Sequence, residues 1–213
     1  MRREQLTYLS IEKLANLESC IRDVNASCVP GDVHEAGVAL GGSGIMLATL
    51  MGAGRRFHGY DVFGQIPAPS ERDPEDAHMR YAVINSGKAR GIAGDPYYGY
   101  VPDLYKEVVS AFERHRVAPG PRVYLHRGLF EETLDPDGPV ALAHIDCDWH
   151  DPVWLCLERI YPRLSVGGYL VLDDYNDYGG CRLAVDKFLS TIRDLEVVAS
   201  RPNLVLRRTC SYS

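Results

Sequence analysis

Four carboxylates fall in two short clusters in the second half of the chain, His144-Ile145-Asp146-Cys147-Asp148-Trp149 and Leu172-Asp173-Asp174-Tyr175. Each cluster follows an apolar run, Val140 to Ile145 and Tyr169 to Leu172, which reads as a buried strand of a parallel sheet ending in acid. In an open α/β sheet the carboxyl ends of neighbouring strands line the ligand crevice. Three or four carboxylates gathered there repel one another unless a cation neutralises them, so the pattern points to oxygen ligands for Mg²⁺ or a similar hard metal. The competing reading is that these acids cap the helices that follow, since Asp is a preferred N-cap.

A second group of chemically suggestive residues lies near the start of the chain. Gly37-Val38-Ala39-Leu40-Gly41-Gly42-Ser43-Gly44 follows an apolar run and precedes a helical pattern, so backbone N–H groups and a helix N-terminus can face a ligand. The GxGxxG spacing of dinucleotide sites is absent. Glu35, just before the glycines, suits an ammonium or sulfonium group better than a phosphate, and Asp61 ends the next strand where ribose hydroxyls are bound in nucleoside-binding folds. Together they favour a cationic nucleoside without phosphate, a description that S-adenosylmethionine fits. A purely structural glycine turn with a surface acid is the plain alternative.

Elements that would position these residues alternate along the chain. Ile11, Leu14, Leu17, Ile21 and Val24 form the apolar stripe of an amphipathic helix that ends before Pro30-Gly31. Strands are expected at Asp32 to Val38, Arg56 to Asp61, Arg122 to His126, Val140 to Asp146 and Tyr169 to Leu172, with a closing pair at Leu195 to Ser200 and Asn203 to Arg208. Helices are expected at Ile45 to Met51, Val101 to His115, Pro152 to Leu164 and Cys181 to Arg193. This alternation predicts an α/β doubly wound sheet, mostly parallel, with an antiparallel edge and helices on both faces. Residues 63–100 break the alternation. They are rich in Pro, Gly, Asp and aromatics around one helix near Glu75 to Val83, the composition of a lid or acceptor-binding insertion.

Bulk properties narrow the function further. At 213 residues, residues 1–213 fit a single domain, with 1–31 as a helical leader. No apolar stretch approaches the ~20 residues of a membrane span, and the N-terminus lacks a signal-peptide core, so a cytoplasmic protein without a membrane partner is expected. A net charge of −6 without clustered Lys and Arg argues against a nucleic-acid partner and for a small-molecule substrate. The six cysteines show no CxxC spacing and are expected to be reduced. A symmetric homo-oligomer is the default for an enzyme of this size, with the N-terminal helix a candidate contact.

Several stretches, taken in order, resemble the macrocin (TylF-type) O-methyltransferases. They are Glu35-Ala36-Gly37-Val38 with Gly41-Gly42-Ser43, Tyr60-Asp61-Val62-Phe63, Tyr97-Tyr98-Gly99-Tyr100, Gly128-Leu129-Phe130, Ile145-Asp146-Cys147-Asp148-Trp149, Tyr161-Pro162-Arg163-Leu164 and Asp173-Asp174-Tyr175 with Gly180-Cys181-Arg182. The resemblance runs from about Leu6 to Leu189. It implies a Rossmann-like class I methyltransferase fold with a seven-stranded sheet, S-adenosylmethionine and Mg²⁺ as cofactors, and a sugar hydroxyl on a glycosylated natural product such as an antibiotic as acceptor.

Carried onto this chain, the resemblance implies Asp146, Asp173 and Asp174 as metal ligands and leaves Asp148 a supporting role. It places the cofactor at Glu35, Gly37, Gly41, Gly42, Ser43, Asp61, Phe63, Gly128, Leu129, Phe130 and Asp146. Tyr98, Tyr100, Trp149, His150 and Tyr175 are the expected acceptor contacts. Asp146 is the expected general base; His150, which stands where the family usually has Tyr, is the rival, with an imidazole suited to neutral pH. Competing functions are methylation of a catechol-like acceptor, a nicotinamide-dependent oxidoreductase and a non-catalytic nucleoside-binding protein.

Overall fold

In the computed structural model of the chain, which describes residues 2–210, the alternating pattern closes into one seven-stranded sheet. The elements run α1 (Ile11–Ala26), β1 (Asp32–Ala36), α2 (Gly42–Leu50), β2 (Phe57–Asp61), α3 (Glu75–Asn85), α4 (Leu104–Arg114), β3 (Val123–Arg127) and a short α5 (Phe130–Thr133). They continue with β4 (Val140–Ile145), α6 (His150–Ile160), β5 (Leu164–Leu172), α7 (Gly179–Leu189), β6 (Leu195–Ala199) and β7 (Leu204–Arg208). Strand order is β3-β2-β1-β4-β5-β7-β6. The first five strands of that order pair parallel, whereas β7 pairs antiparallel with both β5 and β6. The order reverses between β1 and β4, which opens the crevice where such sheets bind ligands.

Helices pack on both faces because their apolar stripes match their period. In α1, Leu17, Cys20, Ile21 and Val24 are buried and Ser10 caps the helix by accepting from the Lys13 N–H. With Phe57 and Leu142 of the sheet, Ile45 of α2 and Phe112 of α4 they form one core; Leu157 of α6, Val185 of α7 and Leu170 and Leu172 of β5 form the core on the opposite face. Each such side chain taken out of water contributes about 1.5–3 kcal/mol. Every residue of β4 is buried, as expected for a central strand covered on both sides.

Element boundaries differ from the sequence reading where local chemistry intervenes. β1 ends at Ala36, because Gly37 turns away with φ +92°. α6 starts at His150 and stops at Ile160, followed by a 3-10 turn at Tyr161–Arg163 in which Pro162 supplies no N–H to continue an α-helix. The expected strand Tyr169 to Leu172 is the C-terminal part of β5, which starts at Leu164. Among the described residues no helix is long and apolar enough to cross a membrane.

Candidate active site

The carboxyl ends of β1, β2, β4 and β5 open into a cleft with two lobes that meet at Gly37, Asp61, Tyr98, Asp146, Asp148 and Trp149. One lobe is mainly apolar, walled by Val62, Ile66, Pro67, Leu129 and Phe130. The other is acidic and lies between α1, the insertion and the 3-10 turn Asp173–Asn176 that follows β5; Lys13 and Arg80 are its cations.

Asp146 follows β4 directly, and its N–H donates to the Ala36 carbonyl 2.8 Å away. This brings the β1 and β4 ends so close that a Cβ on Gly37 would lie 1.7 Å from the Asp146 carbonyl oxygen, so only glycine fits there. Asp146, Asp173 and Asp174 each present a carboxylate oxygen, and these oxygens lie within 4.8 Å of one another. Burial, followed by the neighbouring acids Asp173 and Asp174, holds the Asp146 carboxyl well above the usual carboxylate range. Burial and Asp173 likewise push Asp174 up to about 7. A set of hard oxygen donors of which two, Asp146 and Asp174, resist ionisation has the chemistry of a divalent-cation site, since a bound cation would favour their charged forms.

Asp173 differs from its neighbours. Although burial raises it, His144 and Lys13 bring its carboxyl below the usual range. Lys13 Nζ donates to Asp173 Oδ2 at 2.7 Å and to the Asp173 carbonyl at 3.0 Å, and His144 Nε2 lies 3.7 Å from Asp173 Oδ1. Beneath the cleft, His144 Nδ1 pairs with Glu35 Oε1 at 2.9 Å, both side chains fully buried.

The structure brings together part of the expected site. Gly37, Asp61, Leu129, Phe130, Asp146, Tyr98 and Trp149 line the cleft, with Asp173 and Asp174 at its acidic end. Asp61, however, already accepts three backbone N–H bonds, from Val38 and Ala39 at Oδ2 and from Phe63 at Oδ1, so it shapes the two loops that wall the cleft.

Other expected contacts lie elsewhere. Glu35 points under α2 towards Gly44 and His144 and does not reach the cleft. The turn Gly41-Gly42-Ser43 packs against the N-terminal segment and α4: Gly42 N–H donates to the Leu6 carbonyl, and a Cβ on Gly41 would meet Phe112. Phe63 is buried edge-on to Tyr105, and Gly128 N–H donates to the Asp61 carbonyl, continuing the β2–β3 pairing past the strand ends. His150 is buried, with Nδ1 on Asp151 and its ring stacked parallel to Trp154. The hydroxyls of Tyr100 and Tyr175 bond to the Ile84 carbonyl and to Asp186, which fixes local structure and draws both rings out of the cleft lining.

Two cleft residues carry more weight than their sequence context suggested. Asp148 lines both lobes, holds a positive φ of 60°, and donates its N–H to Asp174 Oδ2. Burial, then Asp174 and Asp173, holds its carboxyl well above the usual range. Lys13 reaches the site from α1, across 160 residues of sequence.

Comparison with known proteins decides the family. The model of the macrocin O-methyltransferase (TylF) family matches residues 3–197. The chain belongs to that family. Its relatives include demethyldecarbamoylnovobiocin O-methyltransferase of Streptomyces niveus, 28% identical over 95% of this chain and 76% of that protein. Another is the 8-demethyl-8-(2,3-dimethoxy-alpha-L-rhamnosyl)-tetracenomycin-C 4'-O-methyltransferase of Streptomyces olivaceus, 30% identical over 85% of this chain and 67% of the relative. Among solved structures, the O-methyltransferase NovP superposes with a TM-score of 0.79 at 27% identity, covering 96% of this chain and 83% of NovP. The protein is thus an O-methyltransferase with the class I methyltransferase fold, and the oxidoreductase alternative falls away.

Proposed function

We propose that this enzyme transfers the methyl group of S-adenosylmethionine to a sugar hydroxyl of a small glycosylated natural product, with Mg²⁺ held by Asp146, Asp173 and Asp174. The observation that carries the reading is the set of three carboxylates converging within 4.8 Å beside an apolar lobe, in a chain of this family. Relatives that act on a novobiocin precursor and on a rhamnosyl tetracenomycin support the sugar-bearing acceptor.

The apolar lobe at Leu129 and Phe130 suits the adenine ring, and the rest of the donor would lie where the two lobes meet, along Gly37, Asp61 and Asp146. When bound, the two cofactors supply an electrophilic methyl group and a Lewis acid that lowers the acceptor hydroxyl pKa. The chain's residues orient the acceptor oxygen and receive its proton. Asp146 shares its carboxylate with the metal set, which weakens it as a base. Asp148 borders both lobes and stands outside the three-carboxylate set, which leaves its carboxylate free to take the acceptor proton. His150, turned away onto Asp151, is left a structural role.

The reading is tested by incubating the enzyme with S-adenosylmethionine, Mg²⁺ and a panel of deoxysugar glycosides, nucleotide sugars and catechols, scoring S-adenosylhomocysteine release and the mass of the acceptor. Methylated glycoside, lost on chelation with EDTA, is the expected result. Methylation of catechols alone would move the acceptor class, and undiminished turnover in EDTA would remove the metal.

A further inference from the structure

Both loops that carry the acidic site run directly into helices that do not cap themselves. The N-cap residues of α6 and α7 are Trp149 and Tyr178, and neither side chain accepts a bond from its own helix. The acceptors come instead from a single stretch of the insertion. Asp73 Oδ1 accepts the His150 N–H at 2.7 Å, at the start of α6, and Asp76 Oδ2 accepts the Gly179 N–H at 3.0 Å, at the start of α7. A carboxylate at a helix N-terminus satisfies an otherwise unpaired donor and complements the helix dipole.

Around these two bonds the same stretch makes further contacts. The Pro67 carbonyl accepts from Trp149 Nε1 at 3.0 Å, and Arg72 Nη1 spans both Asp151 oxygens at 2.9 and 3.0 Å. Asp73 is 6% exposed and is itself braced by the Ser70 N–H at 2.9 Å. The fit is tight: a Cβ on Gly180 would lie 1.9 Å from Asp73 Oδ1, and one on Gly179 would lie 3.0 Å from Pro74 Cγ. The paired glycines let the insertion reach both loops at once.

We infer that residues 67–76 act as a strap that sets the spacing between the Asp146–Asp148 loop and the Asp173–Asp174 turn, with Asp73 and Asp76 as positioning residues for the metal-binding carboxylates. Neither aspartate belongs to the acidic cluster. Each acts through the first backbone N–H group of a helix, four to six residues beyond the carboxylates it positions. The inference rests on the proposed Mg²⁺ site, and partners of this outer kind alter metal affinity by about 10–100-fold when removed.

The test is calorimetric titration of Mg²⁺ and, separately, of S-adenosylhomocysteine into the full chain and its Asp73→Ala, Asp73→Asn and Asp76→Ala variants. The expected result is an Mg²⁺ affinity weakened about ten-fold in both alanine variants, with S-adenosylhomocysteine affinity unchanged, and partial recovery in Asp73→Asn, whose amide oxygen still accepts the His150 N–H although its amide nitrogen cannot accept from Ser70. Should Asp73→Ala fail to fold, Asp76→Ala and Asp73→Asn decide the matter. Wild-type Mg²⁺ affinity in the alanine variants would overturn the strap, as would parallel loss of both affinities, the sign of general loosening. A wild-type enzyme that binds S-adenosylhomocysteine and transfers methyl but takes up no Mg²⁺ would remove the metal site, and the strap's role with it, while leaving methyl transfer intact.

Discussion

Lys13 Nζ lies 2.7 Å from Asp173 Oδ2 and 2.7 Å from Asp177 Oδ2, so a helix at the start of the chain carries the cation that balances the turn after β5. The ion pair with Asp173 is sheltered, the two side chains being 13% and 5% exposed. Replacing Lys13 by Met leaves Asp173 facing Asp174 and Asp146 without that charge. The metal-free protein is expected to lose about 1.5–3 kcal/mol, the range for a hydrogen bond to a charged group. Saturating Mg²⁺ is expected to restore a larger share of stability in Lys13→Met than in the wild type. Denaturant melts with and without Mg²⁺ measure both, and equal Mg²⁺ stabilisation of the two proteins would contradict this account.

Asp148 and Asp146 separate experimentally because only Asp146 sits in the three-carboxylate set. Asp148→Asn is expected to lower kcat by about 10²–10⁴-fold, the usual contribution of a general base, while Mg²⁺ binding remains near wild type. Asp146→Asn is expected to lose metal affinity and turnover together. His150 does not itself line the cleft, so His150→Ala, which removes its contact with Asp151, is expected to leave kcat close to wild type. If His150→Ala lost as much rate as Asp148→Asn, the base assignment would reverse.

Much of this architecture is legible in the sequence, because strands buried on both faces and acids at their carboxyl ends leave strong local signals. Val140–Ile145 followed by Asp146, and Leu172 followed by Asp173-Asp174, announce the site on composition alone. What the sequence conceals is tertiary. The glycine turn at 41–44 looks open to a ligand, yet Leu6 and Phe112 cover it. Glu35 looks like a cleft residue because it stands near the end of the first strand, just before the glycines. Side chains alternate across the sheet, however, and its parity places it on the α2 face opposite His144. Lys13 gives no signal, being a lysine on an amphipathic helix like any other. Asp73 and Asp76 sit in an irregular stretch whose capping partners lie 77 and 103 residues away.

Sheet register also assembles a group that sequence spacing did not reveal: His34 and His58 stand side by side on β1 and β2, and their rings stack at 4.9 Å. His58 Nδ1 meets His126 Nε2 at 3.1 Å, and His34 Nδ1 meets the Tyr60 hydroxyl at 3.2 Å. Burial, with His58, His126 and Arg56 nearby, lowers the His34 pKa to about 3 from an ordinary 6.5. Above about pH 6.5 the imidazole is neutral in both folded and unfolded chains and its titration adds nothing. Below that, the unfolded chain binds a proton that the folded chain refuses, so stability falls as pH drops from about 6.5 towards 3. Asp146 and Asp174, whose pKa values are raised, act in the opposite sense, because the folded state holds their protons more tightly. Comparing the wild type with His34→Phe cancels that opposing contribution. The variant is expected to be about 1 kcal/mol less stable near neutral pH, for want of the Tyr60 bond, yet to lose about 2–3 kcal/mol less than the wild type on acidification to about pH 4.5. Urea melts of both proteins across that range provide the measurement, and parallel curves would show that His34 does not set the acid limb.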